Sequence, residues 1–170
     1  MKAVVTGGAG FIGSHLAEAL ISENYKVLVV DNFSTGSHNN LIGIKNKIEI
    51  LNHDIREPLP VRIFRDCSIV FHLAALADIV PSIEQPTDYM ATNVQGTVNV
   101  LEAARVGGVR RIIYTASSTC YGLADNFPTN EEDQIAPRFP YALSKFLGEQ
   151  VFFHWLELYG LKGISLRLFN

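Results

Sequence analysis

Cysteine is scarce: Cys67 and Cys120 are the only two in 170 residues, which excludes a disulfide framework. Both lie in or beside apolar runs, where a small buried thiol is the ordinary state. Basic residues form no run. Fourteen Lys and Arg stand against 17 Asp and Glu, for a formal net charge of −3, so no field is focused on a nucleic acid. No apolar stretch reaches the ~20 residues that span a bilayer. Met1-Lys2 leads directly into Ala3-Val4-Val5 and a glycine-rich turn, too short for the core of a signal peptide. The expected setting is a reducing cytoplasm, with neither nucleic acid nor membrane as partner. Gly-x-Ser-x-Gly is missing, which removes the serine-hydrolase elbow. His15, His38, His53, His72 and His154 make no His-Glu-x-x-His pair and no Cys/His cluster, so no metal is expected. Internal repeats and low-complexity tracts are absent too.

What is present is a globular composition, 48% hydrophobic and 18% charged. Short apolar runs alternate with helical patterns. Lys2–Thr6, Lys26–Asp31, Ile48–Leu51, Ile69–Leu73, Arg111–Ala116 and Gly163–Leu168 read as strands. Phe11–Ile21 reads as a helix with Phe11, Ile12, Leu16 and Leu20 inward. Thr87–Ala104 reads as another, on the spacing of Met90, Val94, Val98, Leu101 and Ala104. Pro58–Phe64 suits a short helix and Tyr141–Leu158 a long one. Asn32–Lys47 and Phe127–Pro140 read as loops, the latter with three prolines and the acidic triplet Glu131-Glu132-Asp133. This alternation predicts an α/β fold, a Rossmann-type doubly wound parallel sheet covered on both faces.

Gly8-Ala9-Gly10-Phe11-Ile12-Gly13 matches the dinucleotide turn, and Gly7 adds a second register with glycines at 7, 10 and 13. The letters alone are weak evidence. The context is stronger, since a strand precedes the turn, a helix follows, and the second strand ends in Asp31. Glycine permits the tight turn, a close backbone approach to a pyrophosphate, and a helix whose free N–H groups face the phosphates. A carboxylate at Asp31 can bond the adenosine ribose hydroxyls and repels a 2′-phosphate, which favours NAD over NADP. Asp54-Ile55, after the third strand, could set a carboxylate near the adenine amino group and an apolar side chain on its face; a solvated loop Asp is the bland alternative.

Tyr141 and Lys145 stand four apart at the start of a helix, on one face. A free phenol titrates near pH 10, too high for a base at neutral pH, and a neighbouring ammonium favours the phenolate. Ser117 ends the fifth strand, at the sheet edge where this fold binds ligands. It could orient a substrate hydroxyl beside the tyrosine, or simply bond its own turn.

Together these pieces resemble the extended short-chain dehydrogenase/reductase family, in particular its nucleotide-sugar epimerases and dehydratases. The resemblance runs through Thr6–Gly13, Asp31-Asn32, Asp54-Ile55, His72-Leu73-Ala74-Ala75, Asn93-Val94-x-Gly96-Thr97, Ser117-Ser118-x-x-Tyr121-Gly122, Tyr141-x-x-x-Lys145 and Leu166–Asn170, in family order over nearly the whole chain. It implies that Tyr141 is the catalytic acid/base and that Lys145 binds the nicotinamide ribose while depressing the tyrosine pKa. It makes Ser117 the assisting hydroxyl. Gly7, Gly10, Phe11, Ile12, Gly13, Asp31, Asn32, Asp54, Ile55, Leu73, Ala74 and Ala75 would contact NAD, with Asn93 buttressing the strand–helix junction. Dehydratases of the family usually carry Asp-Glu where Ser118-Thr119 stand here, and decarboxylases commonly a glutamate at Thr119. The branch implied is therefore 4-epimerisation of a nucleotide sugar of the UDP-glucose or UDP-N-acetylglucosamine type, by transient oxidation at C4. A dehydratase, reductase or decarboxylase, or a non-catalytic NAD-binding fragment, is the alternative.

The chain stops at Phe169-Asn170, directly after a strand, and the family's C-terminal substrate domain has no counterpart in it. The expectation is one incomplete NAD-binding domain over residues 1–170, truncated at its C-terminus. The long helix from Tyr141 carries a second apolar stripe. That stripe suits either later chain or, as the resemblance implies, a homodimer through the two long helices.

Overall fold

The computed structural model describes residues 1–123 and 128–169. The start of the expected loop at Phe127 and the final Asn170 of the Leu166–Asn170 motif lie outside the described residues. Six strands form one sheet: β1 (Lys2–Thr6), β2 (Lys26–Asp31), β3 (Ile48–Asn52), β4 (Cys67–His72), β5 (Ile112–Ser117) and β6 (Gly163–Leu168). Their order is β3-β2-β1-β4-β5-β6, and every pairing is parallel. The chain steps outward from β1 to β3, then crosses back to begin β4 on the other side of β1. That reversal opens a crevice beyond the carboxyl ends of β1 and β4, where a doubly wound sheet binds its ligands.

The side-chain period of two sorts β1 and β2 between two cores. Val4, Leu28 and Val30 join Val70, Ile112, Val100, Leu101 and Phe152 on one face. Ala3, Val5, Val27 and Val29 join Ala17, Leu20, Leu41 and Ile44 on the other. Helices α4 (Gly96–Val106) and α5 (Pro140–Tyr159) therefore cover one face, and α1 (Phe11–Ser22) with a 3₁₀ turn at His38–Leu41 covers the other. Pro140 opens α5 at its first turn, where a missing N–H costs nothing, and Gly160 closes it in the left-handed conformation at φ 66°.

Three helical expectations need correction. In α1 the inward residues are Gly13, Ser14, Ala17 and Leu20, with Leu16 only partly buried, while Phe11 is 78% exposed and Ile12 50% exposed. Small residues let the helix lie close on the strands, and bulky ones are pushed to the crevice mouth. The helix expected from Thr87 begins at α3 (Pro86–Met90), passes through a π-helical turn at Ala91–Gln95 and continues as α4. A π turn shifts the phase of the buried stripe, so it consists of Asn93, Gly96, Thr97, Val100, Leu101, Ala103 and Ala104, with Met90, Val94 and Val98 half-buried. Finally, α2 (Ile79–Glu84) has no counterpart among the expected elements. It has six residues, carries Pro81 inside and buries only Ser82, so it has no stripe to find. Among the described residues no helix is long and apolar enough to cross a membrane.

Candidate active site

The crevice floor begins where β1 ends. Gly7 turns at φ +71°, and a Cβ there would come within 2.6 Å of the Ala74 backbone nitrogen. A Cβ on Gly13 would collide with the Gly7 carbonyl oxygen, so the third glycine lets α1 pack against the turn. Gly10 caps α1 with no side-chain bond, which leaves the first N–H groups of the helix without a capping side chain.

Asp31 ends β2 and is buried. Its Oδ2 accepts from the Ala9 N–H at 2.9 Å and its Oδ1 from the Phe33 N–H at 2.8 Å, so it first ties the glycine turn to the following loop. It also lines a cavity of about 330 Å³ with Gly7, Gly10, Asn32, Ile55, Leu73, Ala74 and Ala75. Val30, Ser34, Thr35, Gly36, His53, Arg56, Leu76, Gln85, Asp88 and Thr92 complete the lining, none of them marked out as a contact by the sequence.

Four of the expected residues stand outside the lining of this cavity and of the one next to it. The Asp54 carboxylate accepts from Arg56 Nε at 3.1 Å and Nη2 at 2.7 Å, and from Asn32 Nδ2 at 2.9 Å. The Arg56 hydrogen bonds hold it well below the usual carboxylate range. Arg56, two residues on, pairs with the acid and stands in the cavity wall beside Ile55. Phe11 stands in solvent and Gly13 behind the turn. Asn93 is buried behind the wall, where Oδ1 accepts from the Leu76 N–H at 2.8 Å and Nδ2 donates to the Leu76 carbonyl at 3.0 Å and to Ser144 Oγ at 2.9 Å. It holds the loop after β4 in place, the buttress that was expected.

Leu73 and Ala75 also border a second cavity of about 770 Å³, so the two spaces meet over the end of β4. Ile12, Thr115, Ser117, Thr119, Tyr141 and Lys145 line it, with Asp78, Leu168 and Phe169. The Tyr141 hydroxyl donates to Ser117 Oγ at 3.4 Å. Ser117 Oγ also pairs with Thr119 Oγ1 at 2.8 Å and accepts from the Thr119 N–H at 3.3 Å, so it bonds its own turn while facing the tyrosine. Lys145 is 5% exposed, its Nζ 4.7 Å from the centre of the Tyr114 ring. Burial pushes its pKa down to about 8, against the pull of Glu149. Tyr89 sets its ring edge-on to that of Tyr141 at 6.2 Å and donates its hydroxyl to the Ala77 carbonyl. Beneath the cavity, His72 links Thr6 Oγ1 at 2.8 Å to Thr97 Oγ1 at 3.0 Å. Thr97 spends its proton on the Asn93 carbonyl, so Nε2 of His72 carries the hydrogen and Nδ1 accepts from Thr6. Burial, and then the nearby Lys145, push His72 down to about 3, keeping it neutral.

Residues 3–170 match the model of the family described as NAD dependent epimerase/dehydratase. UDP-glucose 4-epimerase of Mycolicibacterium smegmatis is 36% identical over 166 residues, covering 95% of this chain and 53% of the relative. UDP-glucuronic acid decarboxylase 1 of Danio rerio is 34% identical over 177 residues, covering 99% of this chain and 41% of the relative. Among solved structures, UDP-N-acetylglucosamine 4-epimerase from Methanobrevibacter ruminantium, in complex with UDP-N-acetylmuramic acid, superposes with TM-score 0.94 at 36% identity. It is matched over 99% of this chain and 55% of its own. The UDP-glucose 4-epimerase of Thermus thermophilus, complexed with NAD, gives TM-score 0.89 at 35% identity over 98% and 54%. The chain spans about half the length of the curated relatives it matches.

Proposed function

Because the chain belongs to the NAD dependent epimerase/dehydratase family, we propose that residues 1–170 are the NAD-binding domain of a nucleotide-sugar 4-epimerase of the UDP-glucose or UDP-N-acetylglucosamine type. One observation carries the reading. The Tyr141 hydroxyl, Ser117 and Lys145 border one cavity, and that cavity meets the Asp31 groove at Leu73 and Ala75.

The residues fit a dinucleotide. A side chain on Gly7 would fill the cradle, the two joined spaces are of ordinary ligand-pocket size, and a carboxylate stands at one end with an ammonium at the other. Gly7, Gly10, Phe11, Ile12, Gly13, Asp31, Asn32, Asp54, Ile55, Leu73, Ala74, Ala75, Tyr141 and Lys145 would hold it, with Arg56 added to the wall. Bound there, NAD would supply the acceptor and donor of hydride. In this reading the chain's own residues handle the proton. Tyr141 removes it from the sugar C4 hydroxyl, Ser117 donates a hydrogen bond to that oxygen, and the Lys145 charge stabilises the phenolate. Tyr141 returns the proton once the sugar presents its other face.

Epimerisation is favoured because the residues after Ser117 are Ser118 and Thr119, hydroxyls that do not ionise at neutral pH. Asp78 favours a second reading within the family, a dehydratase, reductase or decarboxylase, since it brings a carboxylate into the same cavity wall. Product analysis decides between them. The full-length protein, given UDP-glucose, UDP-N-acetylglucosamine, UDP-glucuronate and dTDP-glucose, should return 4-epimers of the first two with no water or carbon dioxide lost. A 4-keto-6-deoxy sugar or a pentose as the main product overturns the epimerase reading. A homodimer through the outer faces of α4 and α5 belongs to this proposal, supported by the exposed Leu143, Leu147 and Phe153.

A further inference from the structure

Glu149 follows Lys145 by one turn of α5, so both side chains leave the same face of the helix. Both are buried, Glu149 at 2% exposure. The carboxylate grips Arg167 side-on: Nε donates to both oxygens at 3.1 Å and Nη2 to Oε2 at 2.8 Å. Ser165 Oγ donates to Oε1 at 2.6 Å. The last arm of the guanidinium, Nη1, donates to the Tyr121 hydroxyl at 2.7 Å. Tyr121 closes the 3₁₀ turn Ser118–Tyr121, which starts directly after Ser117, and Arg167 adjoins Leu168 on β6. One ion pair therefore ties together the three elements that carry Tyr141 and Lys145, Thr119, and Leu168, the second of them starting directly after Ser117.

Charges alternate along this line: ammonium, carboxylate, guanidinium. A buried ammonium needs a counter-charge. From the sheet, Lys145 meets neutral His72 on β4 and the Tyr114 ring on β5. Tyr141 shares its own helix. Asp78 before α2, which shares the cavity wall, Glu84 on α2, Asp88 on α3, and Glu102 and Arg105 on α4 lie towards solvent. Glu149 is the carboxylate that acts on Lys145 from within.

We propose that Glu149 and Arg167 are positioning residues for the reaction assigned above: Glu149 keeps Lys145 charged and aimed, and Arg167 fixes Glu149 against the turn that holds Ser117. The inference rests on the Tyr141 reading. It requires opposite responses from the two partners. In E149Q the amide oxygen can still accept from Ser165 and Arg167, but two buried cations lose the anion between them. Lys145 then gives up its proton more readily, and the basic limb of the kcat pH profile moves down by about one unit. In R167Q the carboxylate keeps its charge and loses its competing partner, so the limb does not move down.

The experiment is the kcat and KM pH profile of the full-length protein, wild type against E149Q and R167Q, with folding checked by circular dichroism. The expected result is a downward shift of the basic limb in E149Q alone, with kcat reduced and KM little changed. Two folded variants with the wild-type limb, or two that move together, overturn the inference. If E149Q does not fold, E149D takes its place. With the charge withdrawn by one methylene, its limb must move down by a smaller amount, and an unmoved limb overturns the proposal. Y141F measured alongside separates the two failures. If it turns over at the wild-type rate, the reaction reading falls and takes this inference with it; if it is inactive while the limb ignores Glu149, only the positioning role falls.

Discussion

At the scale of single residues, the site is set by competition for hydrogen bonds. Asp31, Ser117 and Asn93 each satisfy backbone groups and also stand at, or just behind, the crevice wall. His72 shows the thermodynamic side of this. Unfolded, it binds a proton below its ordinary pKa of 6.5; folded, it stays neutral until about 3. Its contribution to stability is therefore complete above pH 6.5 and is lost as the pH falls towards 3, by about 1.4 kcal/mol per unit across that window. In H72Q this slope should vanish, so the stability gap between wild type and variant should narrow as acid is added. Denaturant titrations at several pH values measure it, and a constant gap would refute a neutral, buried His72. Tyr141, Lys145 and the glycines were legible in the sequence because their message is local spacing. Arg56 was not: nothing in Asp54-Ile55-Arg56 says whether the acid bonds its neighbour or a ligand until the loop has been built.

Between elements, the decisive feature is close approach. Gly148 lets α5 lie against the sheet and the π turn, since a Cβ there would strike the Tyr114 hydroxyl and come within 2.6 Å of the Asn93 carbonyl oxygen. G148A gains ~1 kcal/mol in helix propensity. Overpacking against a fixed backbone oxygen costs about 1–3 kcal/mol, so the net effect should be a loss, read by chemical denaturation. A variant more stable than wild type would mean that α5 is held less tightly than described. The same scale explains where element reading from sequence stopped. Strands and long helices announced themselves by period. The π turn broke the period, the short α2 never established one, and the small inward face of α1 was hidden behind the more hydrophobic Phe11 and Ile12. The Glu149–Arg167 pair joins residues 18 apart that meet only when β6 pairs with β5.

For the molecule as a whole, the strand order creates the crevice, and the sequence alternation was enough to anticipate it. The far wall was not readable. Ser34 to Gly36, Gln85, Asp88 and Thr92 reach the crevice through topology, with no motif to mark them. The proposed dimer is tested at this scale: the full-length protein should sediment as a dimer and L147E as a monomer, and a monomeric wild type would reassign the apolar face of α5. The most direct test of the central claim compares the full-length wild type with Y141F, assaying interconversion of UDP-sugar epimers and NAD content on the same samples. The account predicts that turnover disappears in Y141F while bound NAD stays at the wild-type level. Wild-type turnover in Y141F would contradict it.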